Sequence, residues 1–382
     1  MIRISSDFDA GNISCLSSDK ASDIQLEIEK DTNSHFYQWF YFRMTGARDQ
    51  ACSLKILNAG GAAYPGGWDG YQAVASYDRE NWFRVPTTSY DGKTLTIDIT
   101  PGYNSIYFAY FAPYSMERHA DLVAEVQHAS HVDLEVLGKT LDGQDMDLLV
   151  IGEPNENKQD RNKKACWIIG RQHPGESMTE FWMEGFLERL LDENDPIARE
   201  LLKKAVFYVV PNMNPDGSRR GNLRVNAIGA NLNREWQAPS LEKSPEVYHV
   251  RNKMMETGVD FMFDIHGDEA IPHNFIAGTH GIPSFDDRLL NLLDRFKAYY
   301  MEANPDFQVT HGYPQNEPGK GNPAMCGNNT AETHDCLAMT LEMPFKDTDD
   351  NPDEFEGWSP DRSAKLGASS LDPLYRLIDD LR

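Results

Sequence analysis

One stretch constrains the fold of this chain more than any other: Cys166-Trp167-Ile168-Ile169-Gly170-Arg171-Gln172-His173-Pro174-Gly175-Glu176. Trp167 to Ile169 is a short apolar run that reads as a buried strand ending at Gly170. His173 and Glu176 follow at once, separated only by the turn dipeptide Pro174-Gly175. Ser177-Met178-Thr179-Glu180 then has the form of a capping box, ahead of an apolar-rich helix from Phe181 to about Leu191. An imidazole and a carboxylate therefore stand at the carboxyl end of a strand predicted to be parallel, where open α/β sheets place their ligands. The two groups can share one zinc ion, leaving a third protein ligand to come from elsewhere. Taken alone the pattern is short, and a turn with a solvated His and Glu is its commoner meaning.

The rest of the chain supplies a sheet for this junction. From residue 113 onward strands and helices alternate: Asp147 to Ile151, Trp167 to Ile169, the helix from Phe181, Ala205 to Val210, Val259 to Ile265. Further helices are predicted around Glu246 to Thr257 and Arg288 to Glu302. This is an α/β reading for 113–382, with a mixed, mostly parallel sheet and helices on both faces. Residues 1–112 differ. Alternating runs at Ile24 to Ile28, Ser53 to Leu57 and Leu95 to Ile99, and an aromatic strand at Gln38 to Met44, are separated by glycine-rich turns and predict a small antiparallel β-sandwich. Ile106 to Tyr114 reads as a strand leading from one domain to the other. Glu153 to Lys164 reads as a polar loop and Asp347 to Glu356 as a solvated acidic run.

A length of 382 residues agrees with two domains. The net charge of −24 argues against nucleic acid and anionic membrane as partners, because a phosphate-binding surface needs clustered Lys and Arg. No apolar run approaches a membrane span. The N-terminus lacks the apolar core of a signal peptide, so a cytoplasmic protein is expected. The 5 cysteines are scattered without a CxxC pair, which argues against a disulfide framework and a cysteine zinc site.

The third metal ligand has a candidate in Phe261-Met262-Phe263-Asp264-Ile265-His266-Gly267, a second apolar strand ending in histidine and glycine. With His173 and Glu176, His266 completes a His-Glu-His set with a fourth position open for water, the pattern of a catalytic zinc. Polar groups suited to a carboxylate follow Pro211-Asn212-Met213-Asn214-Pro215-Asp216-Gly217: Arg219, Arg220, Arg224, and then Asn231-Leu232-Asn233-Arg234. A basic surface patch explains these equally well. Glu342 stands in an apolar strand, Ala338 to Met343, where a carboxylate is expensive unless a partner or a function offsets its burial.

Together these pieces resemble the zinc metallocarboxypeptidases of the carboxypeptidase A-like class, and within it the cytosolic carboxypeptidase (deglutamylase-type) branch and its bacterial relatives. The resemblance rests on Phe40-Tyr41-Phe42-Arg43, Tyr107-Phe108-Ala109-Tyr110, His173-Pro174-Gly175-Glu176, Asn214-Pro215-Asp216-Gly217, Asn231-Leu232-Asn233-Arg234, Asp264-Ile265-His266-Gly267 and Leu341-Glu342-Met343, in the family's order. It implies one zinc per chain, bound by His173, Glu176 and His266. Arg224 would polarise the scissile carbonyl. Asn233 and Arg234 would hold the substrate's terminal carboxylate. Glu342 would be the general base that moves a proton from water to the leaving amine. The family's mobile tyrosine, about twenty residues before the catalytic glutamate, has no counterpart between 314 and 341, Tyr313 being the nearest.

The expected activity is removal of C-terminal residues from peptide or protein tails. Rival readings are a zinc deacylase or amidohydrolase acting on N-acyl amino acids, and a catalytically silent peptide-binding module. The branch favours acidic tails, for which Lys320 is the only cation in the segment Asn316 to Asn329 and the expected selecting group. The sandwich, whose only histidine is His35, is expected to pack on the peptidase domain and narrow its entrance instead of carrying chemistry. A bacterial source is expected, while the sequence leaves the organism, the physiological substrate and the oligomeric state open.

Overall fold

The computed structural model describes residues 1–154 and 163–382. Most of the polar loop read at Glu153 to Lys164 lies outside the described residues.

Between Arg3 and Ala109 the chain forms two five-stranded sheets whose inward residues belong to one apolar core. The alternation seen in sequence is the cause: in the strand Cys52–Ile56, Cys52, Leu54 and Ile56 are buried while Ser53 and Lys55 are partly exposed. Strand pairs are antiparallel as expected, with one exception, Ile24–Glu27 beside Cys52–Ile56. The chain between them gives Tyr41–Thr45 to the opposite sheet and returns in its original direction, which makes that pair parallel.

The second part is a seven-stranded mixed sheet in the order Val132–Lys139, Asp145–Ile151, Ala205–Val210, Lys164–Gly170, Phe261–Asp268, Leu337–Pro344, Phe275–Ala277. Its four central neighbours, from Ala205–Val210 to Leu337–Pro344, are parallel. Both flanks are antiparallel. The central strands are nearly continuous apolar runs because helices cover both faces, and Ala205–Val210 is buried at every position. The edge strand Val132–Lys139 was not legible as a strand, since exposed and half-buried positions follow one another there without alternation.

Helix Met178–Leu190 lies across Pro360–Ser369 at very short range. A Cβ on Gly185 would come within 1.9 Å of the Ala364 carbonyl oxygen, so only glycine allows the crossing. The predicted capping box does not form. Ser177 donates its hydroxyl to Ala112 O at 2.8 Å, and Glu180 is buried against Arg171 and His119 instead of reaching back to the helix start.

The sandwich and the α/β part share an apolar core. Tyr110 stacks on Phe345 with centroids 4.6 Å apart. Arg84, buried, donates to the carbonyls of Gln72, Phe345, Glu356 and Trp358, so a guanidinium from the sandwich is spent entirely on backbone at the junction. No helix among the described residues is long and apolar enough to cross a membrane.

Candidate active site

Three neighbouring parallel strands bring the chemistry together at their carboxyl ends. Lys164–Gly170 leads into His173 and Glu176, Phe261–Asp268 carries His266, and Leu337–Pro344 carries Glu342. All four side chains are buried.

His173, Glu176 and His266 each offer a ligand atom, and these atoms lie within 4.8 Å of one another. His173 Nδ1 is 2.7 Å from Glu176 Oε1, and His266 Nδ1 is 3.2 Å from His173 Nδ1 and 2.9 Å from Glu176 Oε2. The far nitrogens face oxygen acceptors: His173 Nε2 is 3.1 Å from Asn231 Oδ1, and His266 Nε2 is 3.0 Å from Asp264 Oδ1. In neutral rings whose protons are drawn to those oxygens, both Nδ1 lone pairs would point inward. Burial first, and then the charge of Arg224, push His173 down to about 4, which keeps its ring neutral and able to ligate. Glu176 Oε2 is buried and makes no hydrogen bond. Burial works against a proton on His266, but the charges of Asp264 and Glu176 outweigh it and raise the pKa of this ring well above its ordinary value, so zinc would have to displace that proton. Two imidazoles and a carboxylate with one orphaned oxygen make a donor set that fits zinc.

Gln172 locks the arrangement from behind. Its amide donates to Asp264 Oδ2 at 2.7 Å and accepts from Trp236 Nε1 at 2.8 Å. Asn214 donates to Gln172 O at 3.0 Å while its Oδ1 caps the short helix Pro215–Arg220. The Asn-Pro-Asp-Gly piece thus supports the ligand loop. Asp216, also buried, accepts from Thr140, Gln144 and the Asp142 amide. Arg171, fully buried in a left-handed conformation with φ 56°, donates to Pro174 O and Tyr114 O and pairs with Glu180.

Glu342 is a register partner of His266 on the adjacent strand, and its Oε2 has no hydrogen bond. Burial pushes its pKa well up; His266 works against that, and Glu176, Asp268 and Glu269 add to it. Arg224 places its guanidinium 5.4 Å from the Tyr64 ring centre and 5.6 Å from that of Phe36, both from the sandwich. Asn233, buried, accepts from Cys326 N at 2.8 Å, which leaves its amide NH2 for another acceptor. Arg234 is exposed and bonds Asn233 O at 2.7 Å. Burial, and then the like charge of Arg224, depress its pKa. The two guanidiniums share one neighbourhood, and among the described residues neither has an ion-pair partner.

Lys320 does not join this group. It is exposed on its loop, because the turn around it faces solvent. The cation that lines a cavity beside the site is Lys297, from helix Asp287–Ala303. That cavity, about 300 Å³, is also lined by Thr340, Tyr313, His280 and Asn328. Thr340 precedes Glu342 by two residues and shares its face of the strand. Tyr313 donates its hydroxyl to Asp268 Oδ2 at 2.6 Å. Burial and then the charge of Glu342 raise its pKa, so it lies within electrostatic reach of that acid despite its distance in sequence. Asp264, two residues before His266 on one strand face, could have been read from the period of two. Lys297 and Asn231 carried no such signal.

Comparison with known proteins agrees with this geometry. A family model described as zinc carboxypeptidase matches residues 117–345, and one described as cytosolic carboxypeptidase N-terminal domain matches residues 4–111. A metallo-carboxypeptidase structure from Burkholderia cenocepacia is similar with TM-score 0.96 and 47% identity, over 100% of both chains. Another, from Pseudomonas aeruginosa in complex with (2-guanidinoethylmercapto)succinic acid, gives TM-score 0.95 and 45% identity, also over 100% of both chains. An uncharacterized protein of Zymomonas mobilis is 53% identical, covering 100% of this chain and 97% of its own. The chain belongs to the zinc carboxypeptidase family, as a metallocarboxypeptidase that carries the N-terminal domain of the cytosolic carboxypeptidases.

Proposed function

We propose that the protein removes C-terminal residues from peptides or protein tails, with one zinc ion held by His173, Glu176 and His266. The observation that carries this is the convergence of both Nδ1 atoms on the Glu176 carboxylate, with Glu342 on the next strand. Zinc bound there would supply Lewis-acid chemistry, polarising a carbonyl and acidifying water. Arg224 faces the same space and would draw charge onto the scissile oxygen as it becomes an oxyanion. Asn233 and Arg234 would anchor the terminal carboxylate through charge-assisted hydrogen bonds, which fixes the last peptide bond as the one attacked. Glu342 would accept a proton from the attacking water and pass it to the departing amine, so that the C–N bond breaks as a C–O bond forms.

The preference for acidic tails is part of this reading, with Lys297 in place of Lys320. Burial lowers the pKa of Lys297, against the opposing charge of Asp294, and a substrate carboxylate in the cavity would give it a partner. Peptides ending in acidic, neutral and basic residues, incubated with and without a chelator, test both levels. Chelator-insensitive trimming would remove the metal from the reading, and no trimming of any peptide would remove the reading itself.

A further inference from the structure

A buried carboxylate of the sandwich grips the backbone of the catalytic loop. Asp31 is 3% exposed, and its carboxylate accepts three successive backbone N–H groups: Leu223 at 2.7 Å, Arg224 at 2.7 Å and Val225 at 3.2 Å. Backbone amides converging on one anion form a cradle that holds the loop in a single conformation. The residue at its centre is Arg224. Next to it, Thr32 N–H donates to Asn222 Oδ1 at 3.3 Å, and the Asn222 amide bonds Val225 O at 2.9 Å, closing the loop on itself. Gly229 sits so close that a Cβ there would meet Asn33 O at 2.8 Å. On its other side the loop ties to the ligand segment, where Gly175 N–H donates to Leu223 O at 2.9 Å.

We propose that Asp31 is a positioning residue for catalysis: it holds the loop that presents Arg224 to the scissile carbonyl. The proposal rests on the role given to Arg224 above. Two sandwich rings complete the grip, since Phe36 and Tyr64 both lie against the guanidinium while Asp31 fixes the backbone that carries it. The N-terminal sandwich, expected to carry no chemistry, thereby acts on it through position. It sets the aim of a charged group whose value depends on distance, and a displacement of about 1 Å can cost roughly a hundredfold in rate. Burial pushes Asp31 up to about 6 against the three amides and Arg224, so those donors are what keep a charge tolerable there.

The test is a double-mutant cycle on the full chain, with Asp31→Asn, Arg224→Ala and the pair. An amide keeps the size of the side chain but offers one acceptor oxygen for three donors. Asp31→Asn should lower kcat by roughly ten- to a hundredfold with little change in KM, because Arg224 acts as charge develops. In the Arg224→Ala background the same change should cost nothing further. Hydrogen exchange should show the amides of 223–225 opening faster in Asp31→Asn. Full additivity with Arg224→Ala, or an unchanged kcat in Asp31→Asn, would overturn the proposal. So would loss of zinc in step with turnover, which would assign Asp31 to the ligand loop through Gly175. An Arg224→Ala enzyme as active as the parent would instead remove the role given to Arg224, and this proposal with it. Should Asp31→Asn not fold, Asp31→Glu, which keeps the charge but moves it by one methylene, takes its place in the cycle.

Discussion

His266 and Glu342 stand opposite one another on adjacent parallel strands, Cα paired with Cα, near the carboxyl ends of both and both buried. The sheet itself thus fixes the separation between a metal-ligand candidate and a base candidate, with no loop involved. Glu342 has a buried oxygen without a hydrogen bond, a cost the fold retains. Replacing it with glutamine removes the base but not the shape. Glu342→Gln should lower turnover by roughly 10²–10⁴-fold. Its zinc content and thermal midpoint should not fall. Near-normal turnover in this variant would place the base elsewhere.

Metal binding should depend on the residues behind the ligands as well as on the ligands. His266→Ala should abolish stoichiometric zinc, measured by metal analysis of the dialysed protein. Asp264→Asn changes the group 3.0 Å from His266 Nε2 and should weaken zinc affinity by roughly 10–100-fold. Competition with a chelator reads the difference. An Asp264→Asn protein that holds zinc as tightly as the parent would show that ring orientation is set without it.

Much of this was legible in the sequence because the central strands are buried on both faces, which forces continuous apolar runs with polar residues only at their ends. His173, Glu176, His266 and Glu342 stand out for that reason. What stayed hidden depends on contacts between distant segments. Asp31 meets the Arg224 loop across 192 residues or more, and nothing in its own neighbourhood marks it. Ser177 and Glu180 match a local helix-start pattern, yet Arg171 and His119 compete for Glu180, and a buried charge pair outweighs a neutral cap. Tyr313 lies too far from Glu342 in sequence for spacing to link them, while the fold brings it within electrostatic reach of that acid.

A buried histidine gives the stability a pH slope. His119 lies 2.7 Å from Glu180 Oε1 and 3.5 Å from Asp147 Oδ2. Burial alone would lower its pKa, but Glu180 and Asp147 outweigh it and raise the group to about 9. A raised histidine stabilises the fold fully below its unfolded value, about 6.5, and that contribution is lost as pH rises through about 9. The contribution is at most about 3 kcal/mol. Glu246, pushed by burial to about 8, slopes the same way, so the parent must be compared with His119→Gln. Urea unfolding at a series of pH values should show the two proteins converging as pH rises from about 6.5 to 9. Curves that stay parallel would mean His119 is neutral throughout.

Substrate preference separates Lys297 from Lys320. Lys297 lines the cavity beside Thr340 and Tyr313 and has no ion pair among the described residues, whereas Lys320 is exposed. The net charge of −24 repels an acidic tail at long range, but at physiological salt that repulsion is screened beyond about 8 Å, so the cavity decides. A lysine shielded from water gains more from a carboxylate than an exposed one does, because less solvent competes for the charge. Lys297→Gln should lower kcat/KM for peptides ending in glutamate by roughly tenfold or more, the effect of about 1.4 kcal/mol, and leave neutral tails within about twofold. Lys320→Gln should change neither. Raised activity on basic tails in Lys297→Glu would strengthen the assignment, since the cavity would then carry the opposite charge. If acidic and neutral tails fall together in Lys297→Gln, the lysine supports the cavity wall without reading the substrate, and the acidic preference has no cation to carry it.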